Sequence, residues 1–286
     1  NVTVANGGAL NPGDTGTVGA LTVNGNLTLN SGASLNYQFG QANTPGGALN
    51  DLTTVNGNLT LGGTLNVSTT SGGSFGPGVY RIFNYAGTLT DNGLSIGSAP
   101  VGTYDVQTSV ANQVNLVNST GLTLNFWDGA AGAKDNGVIN GGNGTWQNAS
   151  GNDNWADSTG QVNAPYSNGA FAVFEGTPGT VTVDNSLGNV TTSGMQFAVD
   201  GYTLTGNAIT LNGVPNIIRV GDGTAAGAGM TATIDAVLTG TGGVQKADLG
   251  TLVLNGANTY TGGTAINGGT LQVSNDANLG DAAGAL

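Results

Sequence analysis

Residues 250–273 read Gly-Thr-Leu-Val-Leu-Asn-Gly-Ala-Asn-Thr-Tyr-Thr-Gly-Gly-Thr-Ala-Ile-Asn-Gly-Gly-Thr-Leu-Gln-Val, short apolar/polar alternations cut at intervals by Asn-Gly and Gly-Gly. Alternation places Leu252 and Leu254 on one face of a strand and Thr251, Val253 and Asn255 on the other, and glycine supplies the turn that ends each strand. Strands this short cannot form a sheet with a core of their own. They bury an apolar face only by stacking on similar neighbours, which is the pattern of a β-solenoid.

The rest of the chain obeys the same grammar. Val23-Asn24-Gly25-Asn26-Leu27-Thr28-Leu29 recurs as Val55-Asn56-Gly57-Asn58-Leu59-Thr60-Leu61, an offset of 55 − 23 = 32 residues, and Gly63-Thr64-Leu65-Asn66-Val67 is echoed by Gly269-Thr270-Leu271-Gln272-Val273. Apolar residues fall in Leu-x-Leu and Val-x-Val pairs, and no amphipathic helical period is present. The predicted fold is all-β, a right-handed parallel β-helix whose coils hydrogen-bond to the coils above and below at about 4.8 Å. Asn24, Asn56, Asn212, Asn255 and Asn267 are expected at turns, in left-handed conformation or as amide ladders between coils.

Composition removes whole classes of function. Of 286 residues 53 are Gly, none is Cys or His, and sixteen acids against four bases give a net charge of −12. Arg81, Lys134, Arg219 and Lys246 are too few and too dispersed to meet phosphates, so nucleic acid is not an expected partner. Without His or Cys, Ser-His-Asp and Cys-His nucleophiles and His- or thiolate-ligated metals are impossible within this chain. Gly221-Asp222-Gly223 lacks the Lys-Ser/Thr and helix of a phosphate loop and reads as a tight turn. No EF-hand loop or regular calcium-binding nonapeptide occurs, so no metal or cofactor is expected. No apolar run reaches the roughly 18 residues of a membrane span, and the chain opens at Asn1 without a leader pattern, as expected of a mature or excised segment.

The 250–273 stretch also resembles, almost position for position, the passenger-associated repeat of bacterial autotransporters, close to GTLxLxGxNTYTGGTxIxxGTLQV. Gly78-Val79-Tyr80-Arg81-Ile82-Phe83-Asn84-Tyr85 resembles the closing unit of a passenger β-helix, and the spaced aromatics from Phe126 to Tyr202 resemble a module found beside the repeat. On this basis four segments are expected within one solenoid: coils at 1–73, an aromatic-rich closing unit at 74–120, a second module at 121–213 with a protruding insertion near 127–174, and coils at 214–286 with the repeat at 249–280. The resemblance implies a non-enzymatic adhesin on a Gram-negative cell surface, exported through the outer membrane by a C-terminal β-barrel lying outside this chain. Its partners would be host matrix or cell-surface proteins or glycans, or a second passenger on a neighbouring cell. A self-association factor and a spacer stalk are the alternatives, and a glycan-cleaving β-helix is a third.

Two sets of residues stand out as candidate ligand contacts. Trp127, Trp146 and Trp155 are large, rigid and half-polar, suited to stacking on sugars or anchoring a protein, and equally suited to covering an apolar edge of the coil stack. Asp153 and Asp157, near Trp146 and Trp155, are the one carboxylate pair a glycosidase would need; otherwise they are solvated loop residues.

Overall fold

The structure, a computed structural model, describes residues 1–281 apart from Thr15 and Ser150. The last residues of the expected 214–286 segment, 282–286, lie outside the described residues. Contacts divide the chain into two compact units, Asn1–Leu122 and Thr123–Leu286. Each is an all-β stack of parallel coils, and the only helices among the described residues are two 3-10 turns, Ala225–Gly229 and Asp276–Leu279.

In the first unit each full coil contributes one strand to each of three sheets. Val2–Val4, Leu27–Leu29, Leu59–Leu61 and Leu89–Asp91 form the first; Ala9–Leu10, Ser34–Phe39, Thr64–Thr69 and Ser95–Ile96 the second; Ala20–Val23, Leu52–Val55 and Gly78–Tyr85 begin the third. Every neighbour among these is parallel. The repeated heptapeptide pairs in the register its offset demands, Val23 on Val55 and Leu27 on Leu59. Alternation then does the work of burial: Leu27, Leu29, Leu35, Val55, Leu59, Leu61 and Leu65 are at most 1% exposed. At about 1.5–3 kcal/mol for each such side chain, stacking makes stable a set of coils none of which would fold alone.

The third sheet ends differently. Gln113–Asn118 pairs antiparallel with Gly78–Tyr85, and Tyr104–Gln107 pairs antiparallel with Gln113–Asn118. The hairpin occupies the sheet edge that a further coil would otherwise extend.

The second unit repeats the scheme. Phe171–Phe174, Gly194–Phe197, Asn216–Val220, Val244–Ala247 and Thr264–Ile266 stack in parallel, as do Gly144–Trp146, Thr180–Val183, Thr203–Gly206, Thr231–Ile234, Thr251–Leu254 and Thr270–Val273. Coil length varies widely: Thr203 pairs with Thr233, thirty residues on, whereas Thr251 pairs with Thr270, nineteen on. The longer coil carries the Gly221-Asp222-Gly223 turn and the 3-10 helix Ala225–Gly229. There Asp222 Oδ1 accepts from Thr224 N at 2.9 Å and Thr224 Oγ1 at 2.8 Å, an Asx turn where a tight turn was expected.

Two local expectations need correction. Asn24, Asn56, Asn212, Asn255 and Asn267 are not left-handed; glycines take that conformation, as at Gly25 (φ 140°) and Gly269 (φ 65°), because they lack the Cβ that penalises it. The expected ladder does form where coils stack in register: Asn56 Nδ2 donates to Asn24 Oδ1 at 2.9 Å. The second correction concerns the insertion at 127–174. Its aromatics do not protrude, Trp127, Trp146, Trp155, Tyr166 and Phe174 being fully buried, while residues 130–133 and 136–138 are exposed.

Candidate functional site

Three places in the fold combine unusual chemistry with defined geometry. The first is the start of the second unit, where Phe126–Trp127 pairs parallel with Phe171–Phe174 on one side and antiparallel with Trp155–Ala156 on the other. Asn163–Ala164 adds a further antiparallel strand. This arrangement turns the indoles inward. Trp155 lies 5.2 Å from Trp127, 5.0 Å from Trp146 and 4.4 Å from Tyr166, ring centroid to ring centroid, and Phe174 closes the cluster at 5.7 Å. Trp127 Nε1 donates to Gly142 O at 2.8 Å, while the indole N–H groups of Trp146 and Trp155 are buried with no hydrogen-bond acceptor.

The burial corrects the expectation of ligand contact at Trp127, Trp146 and Trp155. Each indole is 0% exposed and packed against other rings, so none presents a surface on which a sugar or a partner protein can stack. Asp153 is 9% exposed. Asp157 is half-buried, with Oδ1 accepting from Gln161 N at 3.1 Å and Val162 N at 3.0 Å and Oδ2 from Thr159 Oγ1 at 2.6 Å. It caps a turn, and its oxygens are committed to that turn rather than to a paired-carboxylate cleft.

Around the aromatic cluster lies a polar network that sequence reading did not detect. Asp128, 1% exposed, accepts from Asn140 N at 2.8 Å and from Asn163 Nδ2 at 2.9 Å; Asn163 and Asp135 exchange two further bonds at 2.7 and 2.8 Å. Lys134 reaches into this network, its Nζ donating to Asp128 O, to Gly129 O at 3.2 Å and to Asn154 Oδ1 at 3.1 Å. Burial pulls the Lys134 ammonium below the usual lysine range, against the opposing pull of the Asp153, Asp128 and Asp135 carboxylates. The signal available in sequence was a lone lysine among the four aspartates of the insertion, Asp128, Asp135, Asp153 and Asp157.

The second place is a groove of about 510 Å³ on the first unit, over the outward face of the second sheet. Asn36 Nδ2 donates to Asn11 Oδ1 at 2.7 Å, Asn66 Nδ2 to Asn36 Oδ1 at 3.0 Å, and Ser98 N and Oγ to Asn66 Oδ1 at 3.0 and 3.1 Å. Four successive coils thus present one continuous ladder of amides and a hydroxyl, with Gln38 and Ser68 beside it in register. Asp51 underlies it, holding Gly19 N at 2.6 Å and Gln38 N at 2.7 Å; burial raises its carboxyl above the usual range while those two N–H bonds oppose the shift. Sequence did contain a clue, since Ser34-Leu35-Asn36 and Thr64-Leu65-Asn66 place asparagine at equivalent outward positions.

The third place is the coil boundary around Lys246. This residue occupies an inward position between Ile218 and Ile266, is 0% exposed, and donates from Nζ to three carbonyls: Ala247 O at 2.8 Å, Asp248 O at 2.9 Å and Gly268 O at 3.1 Å. Beside it Arg219 pairs with Asp248 at 3.0 Å. A cation that bridges carbonyls of successive coils is an internal clamp and leaves no donor for a ligand.

Residues 244–273 match the sequence model of the passenger-associated-transport-repeat family. The match starts five residues before the expected 249–280, taking in the Lys246 strand, and ends with Thr270–Val273. Over 280 residues, 98% of this chain, the sequence is 60% identical to the adhesin BmaC autotransporter of Brucella suis biovar 1 (strain 1330). The chain spans 8% of that protein's length. No solved structure matches it.

Proposed function

From the premise that this chain belongs to the passenger segments of autotransporters, we propose that it is an adhesive stretch of a Gram-negative cell-surface protein, exported through the outer membrane. It works by contact and not by turnover, attaching the cell to a host matrix or cell-surface protein or glycan. A β-barrel elsewhere in the full protein anchors it.

The observation that carries this reading is the Asn11–Asn36–Asn66–Ser98 ladder and the groove over it. A ligand site needs concavity and a few convergent polar groups held on rigid elements, and here the groups are fixed by the register of parallel coils. Asn36 spends a donor and an acceptor on the ladder and Asn66 a donor and both acceptor sites, which leaves each a second amide N–H for a ligand. Uncharged donors and acceptors suit hydroxyls and peptide groups, whereas a net charge of −12 disfavours acidic ligands. Each such contact contributes about 0.5–1.5 kcal/mol, so useful adhesion comes from several per groove and many copies per cell.

The test is binding of the purified chain to immobilised matrix proteins, host-cell surfaces and glycans, beside a variant carrying Asn11→Ala, Asn36→Ala and Asn66→Ala with unchanged strand content. Saturable binding that the variant loses supports the groove. Binding that it retains in full places adhesion elsewhere on the chain.

A further inference from the structure

We propose that Lys134 and Asn154 join through an intramolecular isopeptide bond that staples the beginning of the second unit. The geometry brings together the three groups such a reaction needs. Lys134 Nζ lies 3.1 Å from Asn154 Oδ1. The Asn154 carboxamide is held in one orientation, because its Nδ2 donates to Thr145 O at 3.0 Å and so leaves the carbonyl side facing the amine. A carboxyl group adjoins them: Asp153, 9% exposed, acts on the Lys134 charge more strongly than Asp128 or Asp135 does.

The surroundings favour the chemistry. Asn154 sits beside Trp155 in the wall of the aromatic cluster, and Asp128 N donates to its backbone carbonyl at 2.9 Å, so the asparagine springs from fixed backbone, while Lys134 is positioned by its Nζ bonds to Asp128 O and Gly129 O. A nucleophile pre-positioned against its electrophile turns a slow bimolecular aminolysis into an intramolecular step with a high effective concentration. Burial also depresses the lysine's proton affinity and enriches the neutral amine, the form that attacks.

The step balances without any oxidant, reductant or co-reactant. The neutral Nζ lone pair attacks Asn154 Cγ and a C–N bond forms. The Asp153 carboxyl takes a proton from that nitrogen and delivers one to Nδ2; the Cγ–Nδ2 bond breaks and ammonia departs. What remains is a secondary amide linking residues 134 and 154, a covalent loop of twenty residues' separation across the segment that covers the first coil. The end of a coil stack is where unzipping starts, since its strands have a neighbour on one side only. A covalent bond there resists both pulling and proteolysis.

The test is the intact mass of the purified 286-residue chain under denaturing conditions. One lost ammonia places it about 17 Da below the sequence mass. Digestion on the amino side of aspartate then yields peptide 128–134 covalently attached to peptide 153–156, two fragments that otherwise separate. Lys134→Arg keeps the positive charge but cannot form the bond, and it returns to full mass. Asp153→Asn, shown by its urea transition to be folded, accumulates unlinked chain. Folded wild-type protein at full sequence mass overturns the proposal. So does a 17 Da deficit that persists in Lys134→Arg, which would come from succinimide at an Asn-Gly pair.

Discussion

Replacing Trp155 by alanine tests whether the tryptophans of the second unit are core or contact surface. The side chain is fully buried and meets Trp127, Trp146, Tyr166 and Phe174 with centroids 4.4–5.7 Å away. Large-to-small replacement of a buried aromatic costs about 3–5 kcal/mol, and loss of several edge and tilted ring contacts, each about 0.5–1.5 kcal/mol, puts Trp155→Ala at the upper end of that range. Trp155→Phe keeps most of the volume and removes an indole N–H that has no acceptor, so its cost is about 1–2 kcal/mol. Urea unfolding followed by tryptophan emission reads this directly, because all three tryptophans lie in the unit Thr123–Leu286. The alanine variant should unfold at markedly lower urea, with the remaining emission shifted towards that of solvated indole. A loss below about 1 kcal/mol with unchanged emission would refute the core assignment. Binding that falls in Trp155→Phe at unchanged stability would return the residue to ligand contact.

Three further perturbations probe other contacts of the coil stack. Lys246→Met preserves length and apolar volume but abandons the carbonyls of Ala247, Asp248 and Gly268; relief from burying an ammonium offsets part of this, leaving a net loss of about 2 kcal/mol by urea titration, and a gain in stability would mean the burial cost dominates. In Gly243→Ala the new Cβ would fall 2.3 Å from Gly262 O and 2.6 Å from Gly263 O, backbone of the next coil, so the pair of coils must part at a cost of about 2–3 kcal/mol, seen as faster amide exchange across 244–273. Alkali should unfold the protein above pH 10.0: burial raises the phenols of Tyr37, Tyr166 and Tyr202, and pushes Tyr80 up to about 12, so the unfolded chain releases those protons first and stability present below pH 10.0 is lost as pH rises. Tyr37 and Tyr166, at most 1% exposed, each remove about 1.4 kcal/mol per pH unit in that range. Lys246, whose burial lowers it from 10.5, acts in the opposite sense as pH climbs towards that value, but it is outnumbered. Tyrosinate absorbance should therefore appear together with loss of strand signal, and stepwise ionisation of a folded protein would contradict the assignment.

The coil register was legible where the turns are equal in length. Val23 to Leu27 and Val55 to Leu59 are identical connections, so the offset of 32 residues names the paired strands directly. One turn later the count slips: Leu29 to Ser34 spans five residues and Leu61 to Thr64 three, which is why Ser34 pairs with Thr64 at an offset of 30. A fixed-period search loses the repeat at such places, and loses it altogether in the second unit, where parallel strands pair at offsets from nineteen residues (Thr251 with Thr270) to forty-seven (Phe126 with Val173). The site was harder to read for a different reason. Inward and outward positions follow from alternation within strands, yet Trp127, Trp146 and Trp155 lie on strands of two or three residues, too short for alternation to fix a face. Lys134 and Lys246 find their partners mostly among backbone carbonyls, which leave no trace in residue identity. The amide ladder is visible only after register is known, because Asn36 and Asn66 become neighbours through stacking alone.

That stacking is the claim on which groove, clamp and staple all depend, and nitroxide labels at Asn36→Cys and Asn66→Cys test it directly in a chain with no native cysteine. Strands of successive coils lie about 4.8 Å apart, so labels at these paired positions should show strong dipolar broadening that vanishes when either is omitted. Narrow, independent spectra from the doubly labelled, folded protein would mean that these two asparagines do not sit on neighbouring coils, and the parallel β-helix described for the first unit would be wrong.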